Sequence, residues 1–305
     1  MNMINHYYDL NTYFRKTYGC RIQKITIDAG LTCPNRDGTL STGGCIYCNA
    51  NGSGTGKYRE GLSVSRQIEN GIKVLSKRYK ANKFIAYFQS FTNTYGPTDE
   101  LKNLYDEALS FPDVIGLSIG TRPDCINEPI LNVLQEYAQN HLVWIEYGLQ
   151  SAHDKTLALI NRGHDLNCFK TAVKITQNKG IKICAHVILG LPGETKQNML
   201  DTAKVIANLN IDGVKIHLLY VVEDTPLEKL YRSGHYACLK QMEYVDIVCD
   251  FLELLPQNMV IHRLTGDPHP NELVAPKWSL QKAQTLSLIR NTLKQRNSRQ
   301  GKYTG

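Results

Sequence analysis

Three cysteines lie close enough together in this chain to share one task. Cys33 is followed, after eleven residues, by Cys45 and then Cys48, all within TIDAGLTCPNRDGTLSTGGCIYCNANGSG. Thiolates are soft ligands suited to iron-sulfur clusters or zinc, and a CxxC spacing lets two sulfurs turn toward one centre. Gly30, Gly38, Gly43 and Gly44 permit the turns of a loop wrapped around something. Spacing alone leaves iron-sulfur and structural zinc equally open, because Cys20 or a histidine would complete a closed four-ligand zinc site. Cys20, Cys125, Cys168, Cys184, Cys238 and Cys249 are scattered, and several read as small buried apolar residues. Nine cysteines in all, an odd number, exclude complete internal pairing.

The other chemically capable residues sit at the ends of apolar runs. Gln89, Ser90, Thr92 and Asn93 follow one such run in YFQSFTNTY. Glu146 lies inside the apolar run of IEYGLQSAHD, where burial is costly without a partner, so it is expected to face a polar cavity or pair with a buried donor. Gln150 ends that run with an amide able to donate and accept, and Arg162 in NRGHD carries a fork able to clamp a carboxylate. In the same stretch His153 and His164 read as structural or helix-capping groups, His153 more so. HVILGLPGET brings His186, with Gly190 and Gly193 placed to let backbone approach a ligand, although the spacing is not that of a phosphate loop. Lys215 and His217 alternate on one face of a further run, where a substrate ligand and a satisfied core histidine are both open readings. Arg263 in HRLTGDPHP is open to a substrate contact or a structural salt bridge.

The elements that must position these residues follow a βα rhythm. Strands are predicted over 24–27, 84–88, 114–119, 143–147, 182–189 and 213–219, with helices over 63–80, 98–110, 128–139, 167–179 and 196–208. Six strands separated by helices predict an α/β fold with a parallel sheet, closed or partly closed, and chemistry beyond the C-terminal strand ends. Periodicity does not choose between a barrel and a flat doubly wound sheet. After about Pro226 the pattern changes to helices over 227–255, the strand-like NMVIHRL and a basic helix from about Ser279. The chain is therefore divided into a core with its N-terminal segment, 1–226, and a C-terminal α/β extension, 227–305.

Taken together, the long-spaced cysteine loop, IEYGLQSAHDKTLALINRGHD, HVILGLPGET and HRLTGDP resemble the radical S-adenosylmethionine (SAM) superfamily. The resemblance covers nearly the whole chain and lies in the branch related to the catalytic domain of the Elongator tRNA-modifying subunit. The first cysteine gap departs from the common CxxxCxxC, as that branch does. The resemblance implies a partial (β/α)6 TIM-like barrel, a [4Fe-4S] cluster on Cys33, Cys45 and Cys48, and SAM cleaved to a 5'-deoxyadenosyl radical. It implies SAM-pocket roles for Gln89, Ser90, Glu146, Gln150, Arg162, His186 and Gly190, and substrate contacts for Lys215, His217 and Arg263. Gln89 and Ser90 rest on position alone, since the glycine-rich GGE stretch found there in many members is missing. An external electron donor such as flavodoxin or ferredoxin is implied, and no acetyltransferase domain accompanies the motifs. For substrate, the resemblance to a Bacillus-type branch implies tRNA wobble-uridine maturation, carboxymethylaminomethyl to aminomethyl. A small metabolite is the alternative within the same mechanism, and a non-catalytic zinc or iron-sulfur RNA-binding protein is the alternative outside it.

Charge points the same way as that substrate. The net charge is +7, and Lys277, Lys282, Arg290, Lys294, Arg296, Arg299 and Lys302 meet no Asp or Glu in the sequence after Glu272. Such a tail suits a polyanion, or simply a solvated end. No stretch reaches the roughly 18 apolar residues of a membrane helix, and MNMINHYYDLNTYF has no basic segment leading into an apolar run. A soluble, cytoplasmic protein is expected.

Overall fold

A computed structural model describes residues 6–52 and 60–304. Seven parallel strands form one sheet in the order β1-β2-β3-β4-β5-β6-β8. They are β1 (Ile22–Ile27), β2 (Lys83–Phe88), β3 (Val114–Thr121), β4 (Leu142–Gln150), β5 (Lys182–Leu189), β6 (Gly213–Leu218) and β8 (Val260–Arg263). A short antiparallel pair, β7 (Val221–Val222) with β9 (Leu273–Ala275), stands apart from it. Helices connect the parallel strands: α2 (Val64–Tyr79), α3 (Thr98–Leu109), α4 (Glu128–Ala138), α5 (Asp154–Leu159) with α6 (Leu166–Thr176), α7 (Lys196–Ala207), and α8 (Pro226–Arg232) with α9 (Gln241–Glu253). An N-terminal α1 (Leu10–Tyr18) precedes the sheet and α10 (Lys282–Gln295) ends it. Among the described residues no helix is long and apolar enough to cross a membrane.

The six predicted strands are all present, and NMVIHRL supplies a seventh, β8, beside β6. The sheet curls rather than lying flat. Lys24 on β1, at one edge, reaches within 3.4 Å of His262 on β8, at the other. The N-terminal segment lines the far edge too, since the Ile261 amide donates to the Tyr8 carbonyl at 2.8 Å.

Period-two alternation explains why the inside is polar. On β4, Val143, Ile145, Tyr147 and Leu149 pack into the apolar core shared with the helices, which leaves Trp144, Glu146, Gly148 and Gln150 for the concave face. The same alternation sends Val214, Ile216 and Leu218 of β6 to the helices and Lys215 and His217 inward. Helix starts are fixed by capping side chains: Ser63, Asn127, Asp165 and Thr225 each accept from an amide of the first turn, and Thr195 and Asn198 form a capping box.

Close strand contact sets one strict requirement. A Cβ on Gly116 of β3 would lie 2.0 Å from the Leu142 carbonyl oxygen, a backbone atom that cannot move aside. Gly116→Ala is therefore expected to destabilise the protein by about 1–3 kcal/mol, the usual cost of overpacking. Gly43→Ala, with nothing within 4 Å of the new methyl, is expected to match the parent in urea denaturation. Equal midpoints for the two variants would contradict this packing.

Candidate active site

At the C-terminal ends of the strands lies a cavity of about 670 Å³ whose wall includes Cys33, Cys45 and Cys48. The cysteine loop is tied down from several sides. The Arg36 guanidinium donates to the carbonyls of Cys48 at 2.8 Å and Asn49 at 2.6 Å, and the Cys48 amide turns back to the Cys45 carbonyl at 3.0 Å. The Ile46 amide donates to the Ile160 carbonyl at 3.1 Å, and the Leu227 amide at the start of α8 donates to the Ile46 carbonyl at 2.9 Å. Asn161, at φ 53°, donates to the Gly44 carbonyl at 2.7 Å. The CxxC segment is thus held between the β4–α5–α6 region and the C-terminal part of the chain.

Cys45 is buried and receives two N–H donors at its sulfur, from Arg162 Nη1 at 3.6 Å and Asn35 Nδ2 at 3.7 Å. Arg162 also donates from Nε and Nη2 to the Gly148 carbonyl, at 3.2 and 2.7 Å. Its guanidinium therefore links the end of β4 to a cysteine sulfur. Burial opposes the Arg162 charge, but the pull of its neighbours Cys45, Tyr47 and Asp124 outweighs it and raises the pKa. All three cysteines are free of disulfides. Free thiols on one cavity wall, with N–H donors aimed at a sulfur, are a donor set that fits an iron-sulfur cluster. Among the described residues, no group of three His, Cys, Asp or Glu side chains is arranged to hold a metal ion.

Below the cysteines, Glu146 is fully buried at the centre of the barrel. Oε1 accepts from Lys24 Nζ at 2.5 Å and from the Ser118 hydroxyl, and Oε2 accepts from Lys215 Nζ at 2.7 Å and His186 Nε2 at 2.6 Å. Burial pushes this carboxyl up, but Lys215 and Lys24, helped by the histidines, hold it well below the usual range. Burial lowers Lys215 to about 8, against the pull of Glu146. His186 falls to about 4, chiefly through burial and then Lys215, so it is neutral near pH 7 and donates to the carboxylate. The Lys215 amine also bonds the Tyr87 hydroxyl at 2.7 Å.

The residues singled out in the sequence mostly converge here. Gln89, Glu146, Gln150, Arg162, His186, Lys215, His217 and Arg263 share the cavity wall with the three cysteines. Gln150 sits just past a register shift between β4 and β5, at φ 76°. Ser90 and Gly190 do not line the cavity. Ser90 is buried, and Gly190, at φ 89°, faces Leu239 while its carbonyl accepts from the Tyr236 hydroxyl at 2.9 Å. His153 Nε2 bonds the Asn198 carbonyl at 2.9 Å, the structural role expected of it, and His164 Nε2 lies 3.2 Å from the Gly148 carbonyl.

Sequence reading missed Lys24, Arg36, Tyr87 and Arg122, all of which are part of the site or hold it together. Lys24 carried the same signal as Glu146, a charge inside an apolar strand. Arg122, buried beside the cavity, is bidentate to Asp124 at 2.9 and 2.7 Å, with Nη1 lacking a protein partner.

A curled parallel sheet with a three-cysteine loop at its C-terminal mouth has the architecture of a barrel enzyme and a donor set suited to an iron-sulfur cluster. Residues 36–206 match the Radical SAM superfamily profile and 211–295 the Radical_SAM C-terminal domain, and the chain belongs to that superfamily. The chain is 40% identical over 302 residues to the "Uncharacterized protein YtqA" of Bacillus subtilis, covering 99% of this chain and 94% of that protein. It is 26% identical to the tRNA uridine(34) acetyltransferase of Dehalococcoides mccartyi, over 56% of this chain and 37% of that one. Its fold is that of the archaeal Methanocaldococcus infernus Elp3, with a TM-score of 0.72 at 17% identity, covering 92% of this chain and 64% of that one. The protein is accordingly a radical SAM enzyme, with a [4Fe-4S] cluster and SAM as its cofactors and a need for an electron donor.

Hydrogen bonds to cluster sulfurs favour the reduced state by stabilising the added negative charge. Arg162→Gln removes a charged donor from Cys45 and is expected to lower the cluster's reduction potential, by tens of millivolts, in spectroelectrochemical titration without SAM. Arg162→Lys is expected to recover part of the shift. An unchanged potential in both folded variants would show that the contact does not act on the cluster.

Proposed function

We propose that this enzyme acts on tRNA, at the side chain of the wobble uridine, converting carboxymethylaminomethyl to aminomethyl. The observation that carries the reading is the cavity itself, which joins a three-cysteine wall to an inner wall rich in cations. The fold likeness to Elp3 and the kinship to a tRNA uridine(34) acetyltransferase support RNA as the substrate class.

In this reading Cys33, Cys45 and Cys48 would hold the cluster, which with SAM would supply a 5'-deoxyadenosyl radical; abstraction of a hydrogen from the carboxymethyl methylene and return of a second electron to the cluster would leave an imine, which water admitted afterwards hydrolyses to the aminomethyl group and glyoxylate. Gln89 and Gln150 offer amides to SAM from the strand ends, and Arg162 fixes the geometry of Cys45 against β4. Lys24, Ser118, His186 and Lys215 hold the Glu146 carboxylate ionised, so it is not a free base. The closed inner wall excludes water from the reacting substituent.

The basic tail contributes less than its sequence promised. Arg296 pairs with Asp246 at 3.0 Å and Asp250 at 2.5 Å, and Lys282 with Asp267 at 2.6 Å, because acids earlier in the chain fold against them. Lys277 donates to the Leu273 carbonyl at 2.7 Å. Lys294, Arg299 and Lys302 remain exposed, at the end of α10 where Gln300 anchors to the Pro256 and Met259 carbonyls before β8. Those charges therefore lie toward the end of the barrel away from the cavity mouth, where they would hold RNA at a distance from the reacting nucleotide.

Two measurements test this. Nucleoside mass spectrometry of tRNA from cells lacking the gene is expected to show carboxymethylaminomethyl-uridines rising and aminomethyl derivatives falling, and an unchanged profile would refute the substrate. Replacing Lys294, Arg299 and Lys302 with Gln is expected to flatten the salt dependence of tRNA binding, by up to about 0.9 in log–log slope for each phosphate no longer neutralised. An unaltered slope would make the tail a solvated end.

A further inference from the structure

Barrel closure leaves the inner wall with more positive than negative charge. Lys24, Lys215 and Arg263 lie around Glu146, whose two oxygens are already occupied by Lys24, Ser118, Lys215 and His186. Among the described residues, Arg263 has no carboxylate within 4.0 Å, although it is only partly exposed. Asp267 and Glu272 line the same cavity, but Asp267 pairs with Lys282 at 2.6 Å and Glu272 accepts from Asn49 at 2.8 Å.

The backbone sets the position of this unpaired guanidinium. The β6–β8 register runs Gly213 to Val260, Val214 to Ile261, then skips His262, so that Lys215 is opposite Arg263. Such a bulge re-aims a side chain, and here Arg263 is brought to the face that Lys215 occupies. The skipped His262 instead turns beneath, against Trp144, with ring centroids 4.4 Å apart. His217, the next inward-facing residue after Lys215, packs on His186 at 5.4 Å between ring centroids. Burial and then Arg263 keep His217 neutral, so it adds a hydrogen-bonding edge and no charge.

We propose that this β6–β8 wall is a seat for a carboxylate carried by the substrate, gripped by Arg263 with Lys215 and His217 beside it. The inference rests on the reading of this cavity as the place where a radical SAM substrate reacts, and it assigns that substrate a chemical class. A planar guanidinium matches a carboxylate's two oxygens, and the bound anion would neutralise the excess charge. A backbone phosphate is the poorer fit, because its flanking sugars would have to enter the barrel as far as Lys215, which is 4% exposed.

The test is calorimetric titration of the cluster-reconstituted protein with N-acetylglycine and with inorganic phosphate, each with and without SAM. N-acetylglycine is expected to bind the SAM-loaded protein, and Arg263→Gln to weaken it about 10- to 100-fold, the worth of a charged hydrogen bond. Arg263→Lys, which keeps the charge and loses the fork, is expected to fall between them and guards against a folding artefact. Displacement of N-acetylglycine by SAM would assign the seat to the cofactor's own carboxylate and overturn the proposal. Tighter binding of phosphate, or equal affinity in Arg263→Gln, would overturn it too. Cluster content and SAM cleavage that survive alongside absent carboxylate binding would sink this inference alone. Carboxylate binding with an unchanged tRNA nucleoside profile would instead sink the wobble-uridine reading.

Discussion

A carboxylate buried at the centre of a barrel must be neutralised where it stands, and Glu146 imposes that constraint on nearly every strand. An unpaired buried charge costs several kcal/mol, so β1, β3, β5 and β6 each send it a donor, from Lys24, Ser118, His186 and Lys215. Those donors come from strands far apart in sequence, and they can meet only if the sheet curls. The polar hub and the curvature therefore specify one another. Replacing the hub with apolar residues would often serve stability as well, which argues that its value here lies in a fixed, charged inner wall.

Above that wall the cysteine loop depends on a second set of ties. Arg162 bonds both the end of β4 and the Cys45 sulfur, so the position of the loop is referred to the strand that carries Glu146. Ile46 connects the loop to Ile160 on one side and to Leu227 on the other. The C-terminal part of the chain thus helps to hold the cysteines, and its strand β8 also brings Arg263 to the cavity. Hub, cysteine loop and β8 are thereby tied into one structure around the cavity.

Much of this was legible in the sequence because alternation and spacing are local. Six strands and the shared face of Lys215 and His217 could be read from patterning, and the cysteine loop from its spacing. Glu146 stood out as a charge that burial would punish, and the structure gives it both a cavity and donors. Lys24 stood in the same kind of run, but nothing local says that the two should meet with β2 and β3 between their strands. NMVIHRL was legible as a strand, but its four strand residues carry too little pattern to show which sheet they join. The basic tail misled for the converse reason: acids distant in sequence, Asp246, Asp250 and Asp267, fold against its Arg296 and Lys282. Gly190 looked like a ligand-facing turn, yet its positive φ serves packing against Leu239.

The proposed chemistry depends on Cys33, Cys45 and Cys48 holding a [4Fe-4S] cluster with one iron open to SAM. Electron paramagnetic resonance of the anaerobically reconstituted, reduced protein, with and without SAM, tests it most directly when paired with iron and sulfide analysis. The expected result is about four irons and four sulfides per chain, a signal that changes on adding SAM, and loss of the cluster when any of the three cysteines is replaced by Ala. Zinc in place of iron, or a cluster signal indifferent to SAM, would contradict it.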